Sequence, residues 1–209
     1  MIDLDNCVLW LDSKYFSESY WWDRSRYRND GVVHGAKWKG NSFYFDGIDD
    51  YVFIPYIKIP INAFTYELWF KPSSILNNEN ERQDLVYGSS AARPHISFNK
   101  SGNGEIGIYV KINGTEYDDV LTTTNCWLRK WYHTVFSWDG NNFNVYVNGI
   151  LEKTITHTGT HSLSTGMFIG SRADLFRFFN GFISMIRVYK KGLSSEEIKI
   201  LYNTGYRRW

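Results

Sequence analysis

Residues 131–149, WYHTVFSWDGNNFNVYVNG, alternate two kinds of side chain on both sides of the dipeptide Asp139-Gly140. An alternation with a period of two is typical of β-strands. Asp-Gly and the closing Asn148-Gly149 are typical of hairpin turns, as is Asn113-Gly114 earlier in the chain, because these dipeptides tolerate positive φ angles. The stretch therefore predicts two antiparallel strands and a tight turn into a third.

The same alternation occurs in residues 64–71, FTYELWFK, and again in residues 95–98 and 106–110. Each of these segments has one apolar face and one mixed face that contains polar groups. Two sheets of such strands bury their apolar faces against each other, about 10 Å apart, and leave the mixed faces toward solvent. The sequence therefore predicts an all-β, two-sheet antiparallel sandwich, with its candidate site on a mixed face.

One helix is predicted, near the end of the chain. Ser194 and Glu197 have the spacing of a capping box, and Gly205 offers a stop. The apolar positions between them recur at helical spacing.

Length, composition and charge limit the classes of protein to which the chain can belong. The 209 residues are 43% hydrophobic, which predicts a single domain over residues 1–209. A net charge of +1 gives no field to attract nucleic acid or an anionic membrane. The first apolar run, CVLWL, is too short for a signal peptide or a membrane span. We expect neither nucleic-acid binding nor membrane insertion.

Cysteine and histidine patterns do not indicate a metal site. Cys7 and Cys126 lack zinc-type spacing, and either two buried thiols or one bridge fits them. His157 and His161, in THTGTH, predict a solvated loop rather than a metal-binding pair.

Seven motifs, in order, resemble the laminin-G-like jelly rolls of the concanavalin A-like lectin/glucanase superfamily. They are CVLWLDS, DRSRYRNDGVVHGAKW, FYFDGIDDYVFIP, FTYELWFKP, WYHTVFSWDGNNFNVYVNG, MFIGS and FNGFISMIRVYKKGLSSEEIKILY. The resemblance implies a jelly roll of about 11 to 14 strands with one short C-terminal helix. It also implies a face that holds glycans or protein partners, calcium in some members, and glucan hydrolysis in others.

Catalysis is not expected. Glycoside hydrolysis needs two carboxylates, and the glucanases of this superfamily place theirs as Glu-x-Asp-x-x-Glu, a run that the sequence lacks. Glu67 is the one carboxylate on the mixed faces named above. A glycoside hydrolase is a remote alternative.

Residues 45–55, FDGIDDYVFIP, carry an acid cluster that has two interpretations. Asp49 and Asp50, with backbone carbonyls, supply the oxygen ligands that calcium prefers. Alternatively, Asp46 and Asp49 hydrogen-bond local backbone in a tight turn. Calcium-binding members of the family add acids near the chain end, where this sequence has Ser184 and Met185.

The mixed faces supply a candidate ligand site. Rings that stack on sugars, beside groups that fix hydroxyls, suit a glycan site. The candidate residues, which we expect on one surface of adjoining strands, are Glu67, Trp69, His95, Tyr109, His133 and Tyr146. Alternatively, loops cover some of these rings as a secondary core in which Glu67 and His133 satisfy each other.

The sequence thus predicts a non-catalytic, lectin-like module that recognises carbohydrate at a surface. Its partner would be a glycan or glycoprotein, and its location extracellular or on a virion surface. The alternative is a structural, assembly or host-attachment protein of a virus particle or appendage, with copies of itself or other subunits as partners.

Overall fold

The computed structural model describes residues 5–59, 62–74, 82–89, 94–99, 102–156, 158–161 and 165–206. Within these ranges the chain forms sixteen strands and one helix. They are β1 (Cys7–Phe16), β2 (Tyr20–Asp23), β3 (Gly31–His34), β4 (Lys37–Lys39), β5 (Ser42–Asp46), β6 (Tyr51–Ile54), β7 (Phe64–Pro72), β8 (Gln83–Gly88), β9 (His95–Phe98), β10 (Ile106–Ile112), β11 (Thr115–Leu121), β12 (Tyr132–Trp138), β13 (Asn142–Val147), β14 (Ile150–Thr156), β15 (Met167–Ile169), β16 (Asn180–Tyr189) and α1 (Ser195–Tyr206).

The strands pair antiparallel in one path that folds over into two facing layers. Their order is β11-β10-β9-β8-β15-β6-β3-β2-β1-β16-β7-β12-β13-β14, with β5 beside β16 and β4 beside β5. We divide this path between β2 and β1, where the register is interrupted between Leu11 and Phe16. The strands from β11 to β2 are the first sheet, and the remaining strands are the second sheet.

The apolar faces of the two sheets meet in the core, as the alternation predicts. Phe70 of β7 contacts Phe98 of β9 with ring centroids 6.0 Å apart, and Trp21 of β2 lies 4.8 Å from Phe43 of β5. The all-β sandwich is confirmed. The expected 11 to 14 strands are too few, because three-residue strands such as β4 and β15 are too short to show an alternation.

The predicted hairpin turns are confirmed. Asn113 and Gly114 have φ angles of 49° and 82°, and Asn148 and Gly149 have 51° and 76°. Positive φ at both central positions suits the right-handed twist of the strands that the turns connect.

The capping box of α1 is also confirmed. The Ser194 N–H donates to the Glu197 carboxylate at 2.9 Å, and the Glu197 N–H donates to the Ser194 hydroxyl at 3.3 Å. Ile198 and Leu201 pack on the outer face of the second sheet against Tyr146 and Tyr189. No helix in the described ranges is long and apolar enough to cross a membrane.

Both cysteines are buried free thiols. Burial raises the pKa of Cys7 to about 12, and it raises the pKa of Cys126 as well. Of the two alternatives for the cysteines, the structure has the unbridged one.

Candidate functional site

The six side chains predicted to share one surface lie on opposite sides of the sandwich. The second sheet holds Glu67, Trp69, His133 and Tyr146, and the first sheet holds His95 and Tyr109. Since Phe70 and Phe98 meet in the core, the side chains that alternate with them point away from each other. The prediction of a single shared surface is wrong, because alternation assigns side chains to the two faces of each strand but does not say which sheet the strand joins.

All six side chains are buried, with at most 5% of any residue exposed. The expectation that these mixed faces lie open to solvent is therefore wrong at these positions. A ligand-binding role for the six residues stays a prediction.

In the second sheet the cover is α1, and we call this side the helix-covered face. The Trp69 ring stacks on Tyr202 of α1 with an interplanar angle of 4°, and Tyr146 packs against Ile198 and Leu201. The predicted alternative, a secondary core, matches this side, except that a helix covers the rings where loops were expected.

A buried ionic network lies under the helix. The Glu67 carboxylate accepts hydrogen bonds from His133 Nε2 at 3.1 Å, Tyr189 Oη at 3.1 Å and Arg187 Nη1 at 3.3 Å. Burial acts to raise the pKa of Glu67, but the Arg187 charge and the hydrogen bonds outweigh it and lower that pKa. Glu67 is thus a paired, structural carboxylate.

The outer face of the first sheet has a row of rings, which we call the open face. It comprises His34, Tyr51, Phe53, Phe168, Tyr87, His95 and Tyr109. Phe168 is the centre of the row, because its register partners are Phe53 and Tyr87, and its ring lies 4.7 Å from that of Phe53 and 5.8 Å from that of Tyr51. Tyr51, Phe53, Tyr87 and Phe168 are partly exposed, so a ligand can contact them.

Polar groups end the row at β8 and β9. A register irregularity between Asp84 and Val86 directs the Asp84 carboxylate to the same face as Tyr87. Asp84 Oδ1 lies 2.7 Å from His95 Nε2 and 3.4 Å from Arg82 Nε. The His95 ring stacks on Tyr109 at 4.5 Å, so two predicted residues do belong to this cluster.

The acid cluster lies at the turn between β5 and β6. Ligand atoms of Asp46, Asp49 and Asp50 all lie within 4.8 Å of one another. Asp46 Oδ1 accepts from the Ile48 N–H at 2.8 Å and the Asp49 N–H at 3.4 Å, as the turn interpretation predicts. Burial raises the pKa of Asp50, and the charges of Asp46 and Asp49 add to this effect. Three close carboxylates also fit a hard cation, so calcium stays a prediction.

Ser184 and Met185 lie further along β16 than the residue that faces the acid cluster. The register partner of Asp46 is Asn180, whose side-chain amide donates to the Asp46 carbonyl at 2.8 Å. Met185 pairs instead with Trp69, and its sulfur accepts from Arg187 at 2.8 Å.

A cavity of about 520 Å³ opens beside Trp38, and none of the open-face rings lines it. The Trp38 ring is 44% exposed, stacks on Phe16 at 5.2 Å, and donates its N–H to the Ser13 carbonyl at 3.0 Å. Such a fixed aromatic platform is the rival location for a ligand.

His161 is buried, so the predicted solvated loop is wrong at this residue; His157 lies outside the described residues. The His161 ring packs edge-on against the rings of Phe64 and Trp138, with centroids 4.9 Å and 4.8 Å away. Burial lowers the pKa of His161 to about 4.

Sequence reasoning missed most of the open face. Tyr51 and Phe53 alternate with Val52 and Ile54, a signal that was present in YVFIP. Phe168 lies in a three-residue strand, too short to show an alternation.

Several solved structures share this fold. The receptor binding domain of botulinum neurotoxin D has a TM-score of 0.76 at 16% identity, over 97% of this chain and 53% of that chain. A botulinum neurotoxin serotype D ligand binding domain in complex with N-acetylneuraminic acid has a TM-score of 0.76 at 15% identity, over 96% and 51%. The binding domain of botulinum neurotoxin DC in complex with rat synaptotagmin II has a TM-score of 0.74 at 16% identity, over 96% and 52%.

These identities show a common fold alone, and the chain spans about half the length of those toxin chains. No curated protein matches the chain. The Laminin_G_3 family model, described as Concanavalin A-like lectin/glucanases superfamily, matches residues 45–199, which is more than half of the chain. The chain therefore belongs to the laminin-G-like family of the concanavalin A-like lectin/glucanase superfamily.

Proposed function

We propose that the protein is a non-catalytic recognition module that binds carbohydrate through its open face. The observation that carries this proposal is the row of partly exposed rings Tyr51, Phe53, Phe168 and Tyr87. Sugar rings present C–H faces that pack on aromatic rings, while neighbouring polar groups fix their orientation. Asp84 supplies such a group at the end of the row.

The relatives support a glycan or glycoprotein as the partner. One similar toxin domain was solved with N-acetylneuraminic acid and another with rat synaptotagmin II. A module of this kind acts outside cells or on a particle surface, so we propose an extracellular or virion-surface location.

The pairing of Glu67 supports a non-catalytic role. A general acid or nucleophile must reach its substrate, and Glu67 is fully buried under α1 in hydrogen bonds to His133, Tyr189 and Arg187.

A structural or assembly role is the second candidate, and a different surface favours it. Tyr15, Tyr20, Trp22 and Tyr27 are each between 41% and 47% exposed, in or beside β1 and β2. Exposed aromatic side chains are common where subunits meet. This role makes copies of the chain or other particle subunits the partners.

For the acid cluster we propose a structural calcium ion held by Asp49 and Asp50. The support is the close approach of the carboxylates and the raised pKa of Asp50, which a bound cation would lower.

A glycan array preceded by a sizing column tests the function. We expect a monomer that binds a subset of glycans, and binding at least about 10-fold weaker for Phe168→Ala and Tyr87→Ala. Trp38→Ala is the matched control, because it removes an exposed ring from the rival cavity, and it should bind like wild type.

Two outcomes contradict the proposal. Silence on the array from a protein that elutes as a multimer would favour the assembly role. Binding that Trp38→Ala loses and Phe168→Ala retains would move the site to the cavity beside Trp38.

A further inference from the structure

Arg177 lies beside β8 at the edge of the open face, with its guanidinium 6.0 Å from the Phe176 ring. It lies in the loop between β15 and β16, and its side chain makes no hydrogen bond or ion pair within the described part of the chain. Its Nε is buried with no hydrogen-bond partner among the described residues. Because an arginine side chain has five N–H donors and stays charged at any physiological pH, such a side chain is costly to leave unpaired.

Among the described residues, two positive charges and one negative charge act on Arg177. Burial lowers its pKa, and the positive charges of Arg82 and Arg172 lower it further. Asp84 acts in the opposite direction, but its Oδ1 already contacts His95 and Arg82. Asp174, more than half exposed, pairs with Arg172 at 3.3 Å. The cluster thus has a positive charge that its described neighbours do not balance.

The loop that presents Arg177 is held in an unfavourable backbone conformation. Leu175 and Arg177 have φ angles of 57° and 58°, in the left-handed region that residues other than glycine avoid. Backbone hydrogen bonds fix the loop, among them those from the Asp84 N–H to the Arg177 carbonyl and from the Arg172 N–H to the Phe176 carbonyl, both at 2.9 Å. Strained residues that the surrounding structure holds in place are found most often at ligand sites.

We propose that Arg177, together with Arg82 and Arg172, binds an anionic group on the ligand, the carboxylate or sulfate of an acidic sugar. This inference rests on the proposed function, since it names the ligand class for the same face. The guanidinium of Arg172 lies 5.6 Å from the Tyr87 ring, so the charged group would bind where the row of aromatic rings ends. A planar guanidinium matches the two oxygens of a carboxylate or sulfate in a forked pair of hydrogen bonds.

Inorganic sulfate is the first probe, because it does not depend on the identity of the glycan. Thermal unfolding is followed in sodium sulfate and in sodium chloride of equal ionic strength, for wild type, Arg177→Gln and Arg26→Gln. Arg26 is an exposed arginine outside the cluster and serves as the matched control. All three proteins gain the general stabilisation that sulfate gives to compact states.

We expect wild type and Arg26→Gln to gain more from sulfate than Arg177→Gln does. In chloride, Arg177→Gln should be at least as stable as wild type, because it removes a like charge from the cluster. An equal sulfate response in all three proteins would overturn the anion site. A loss of stability for Arg177→Gln in chloride would show that Arg177 is structural and would overturn it as well.

The second probe is a pair of glycans that differ only in a terminal N-acetylneuraminic acid, with a sulfated glycan beside its unsulfated form. We expect Arg177→Gln to lose about 10-fold in affinity for the acidic member that binds, and nothing for the neutral member. The pair that responds distinguishes carboxylate from sulfate. Equal binding of acidic and neutral members to wild type would overturn this inference while the proposed function stands. Failure of every glycan to bind would count against the proposed function, and the sulfate experiment would still decide the anion site.

Discussion

The two outer faces of the sandwich carry the same chemistry and use it differently. Each has a carboxylate–histidine pair next to aromatic rings: Glu67 with His133 at 3.1 Å, and Asp84 with His95 at 2.7 Å. On the helix-covered face the nearby arginine, Arg187, is ion-paired to the carboxylate at 3.3 Å. On the open face Arg82 is likewise ion-paired to Asp84 at 3.4 Å, but a second arginine, Arg177, has no ion pair within the described residues. The ion pair of Arg187 marks the helix-covered face as structural, and the charge of Arg177, which no described residue pairs, marks the open face as the one kept for a ligand.

The largest expected effect on stability comes from a change on the helix-covered face. Glu67→Gln leaves Arg187 buried without its counter-charge, which should lower the free energy of unfolding by about 3 to 5 kcal/mol. Urea unfolding measures this loss. The matched change on the open side, Asp174→Asn, removes an exposed partner of Arg172 and should cost below about 1 kcal/mol. Similar losses for both variants would break the distinction between the faces.

His161 is buried with no hydrogen-bond partner for its ring among the described residues, which predicts an effect of pH on stability. Its pKa is about 4 in the folded protein and 6.5 ordinarily, so the unfolded chain binds a proton first as the pH falls. Wild type should therefore lose up to about 3 kcal/mol of stability between pH 6.5 and pH 4 from this group. In His161→Phe this component is absent, so the stability difference between variant and wild type should grow as the pH falls. A constant difference across that range would contradict the buried, neutral histidine.

The next smaller effect on stability concerns side-chain packing, compared between the two outer faces. Ile198→Ala removes a fully buried side chain between α1 and the second sheet, and we expect a loss of about 2 to 4 kcal/mol. Phe168→Ala removes a larger but partly exposed ring, and it should cost less than Ile198→Ala because water already reaches it. Chemical denaturation of the two variants checks the order, and the reverse order would mean that the open face is core.

The smallest expected effect concerns calcium. An ion held weakly by Asp49 and Asp50 should add about 1 kcal/mol of stability at a concentration ten times its Kd. Thermal unfolding with calcium and with a chelator measures the gain, with Asp49→Asn as the variant that should lose it. A gain that survives in Asp49→Asn would place the ion elsewhere.

Local patterns in the sequence were enough to predict the architecture. The alternation in residues 64–71, the turns at Asn113-Gly114 and Asn148-Gly149, and the capping box at Ser194 are each determined by neighbours in sequence. The same rules found the pairing of Glu67 with His133 as one of two alternatives.

Features that depend on distant parts of the chain could not be predicted in this way. Nothing near Trp69 in sequence indicates that Tyr202 will cover it, or that His95 belongs to the opposite sheet. Arg82 and Arg177 are far apart along the chain, so only the folded structure brings their charges together. The irregular register that aims Asp84 outward leaves no mark in the alternation.

The most direct test of the central claim compares one variant on each side of the sandwich. Phe168→Ala alters the centre of the open face, and Ile200→Ala alters a residue 46% exposed on α1, over the covered face. On a glycan array we expect the first to lose binding by at least about 10-fold and the second to match wild type. Binding lost in Ile200→Ala and kept in Phe168→Ala would contradict the assignment of the site to the open face.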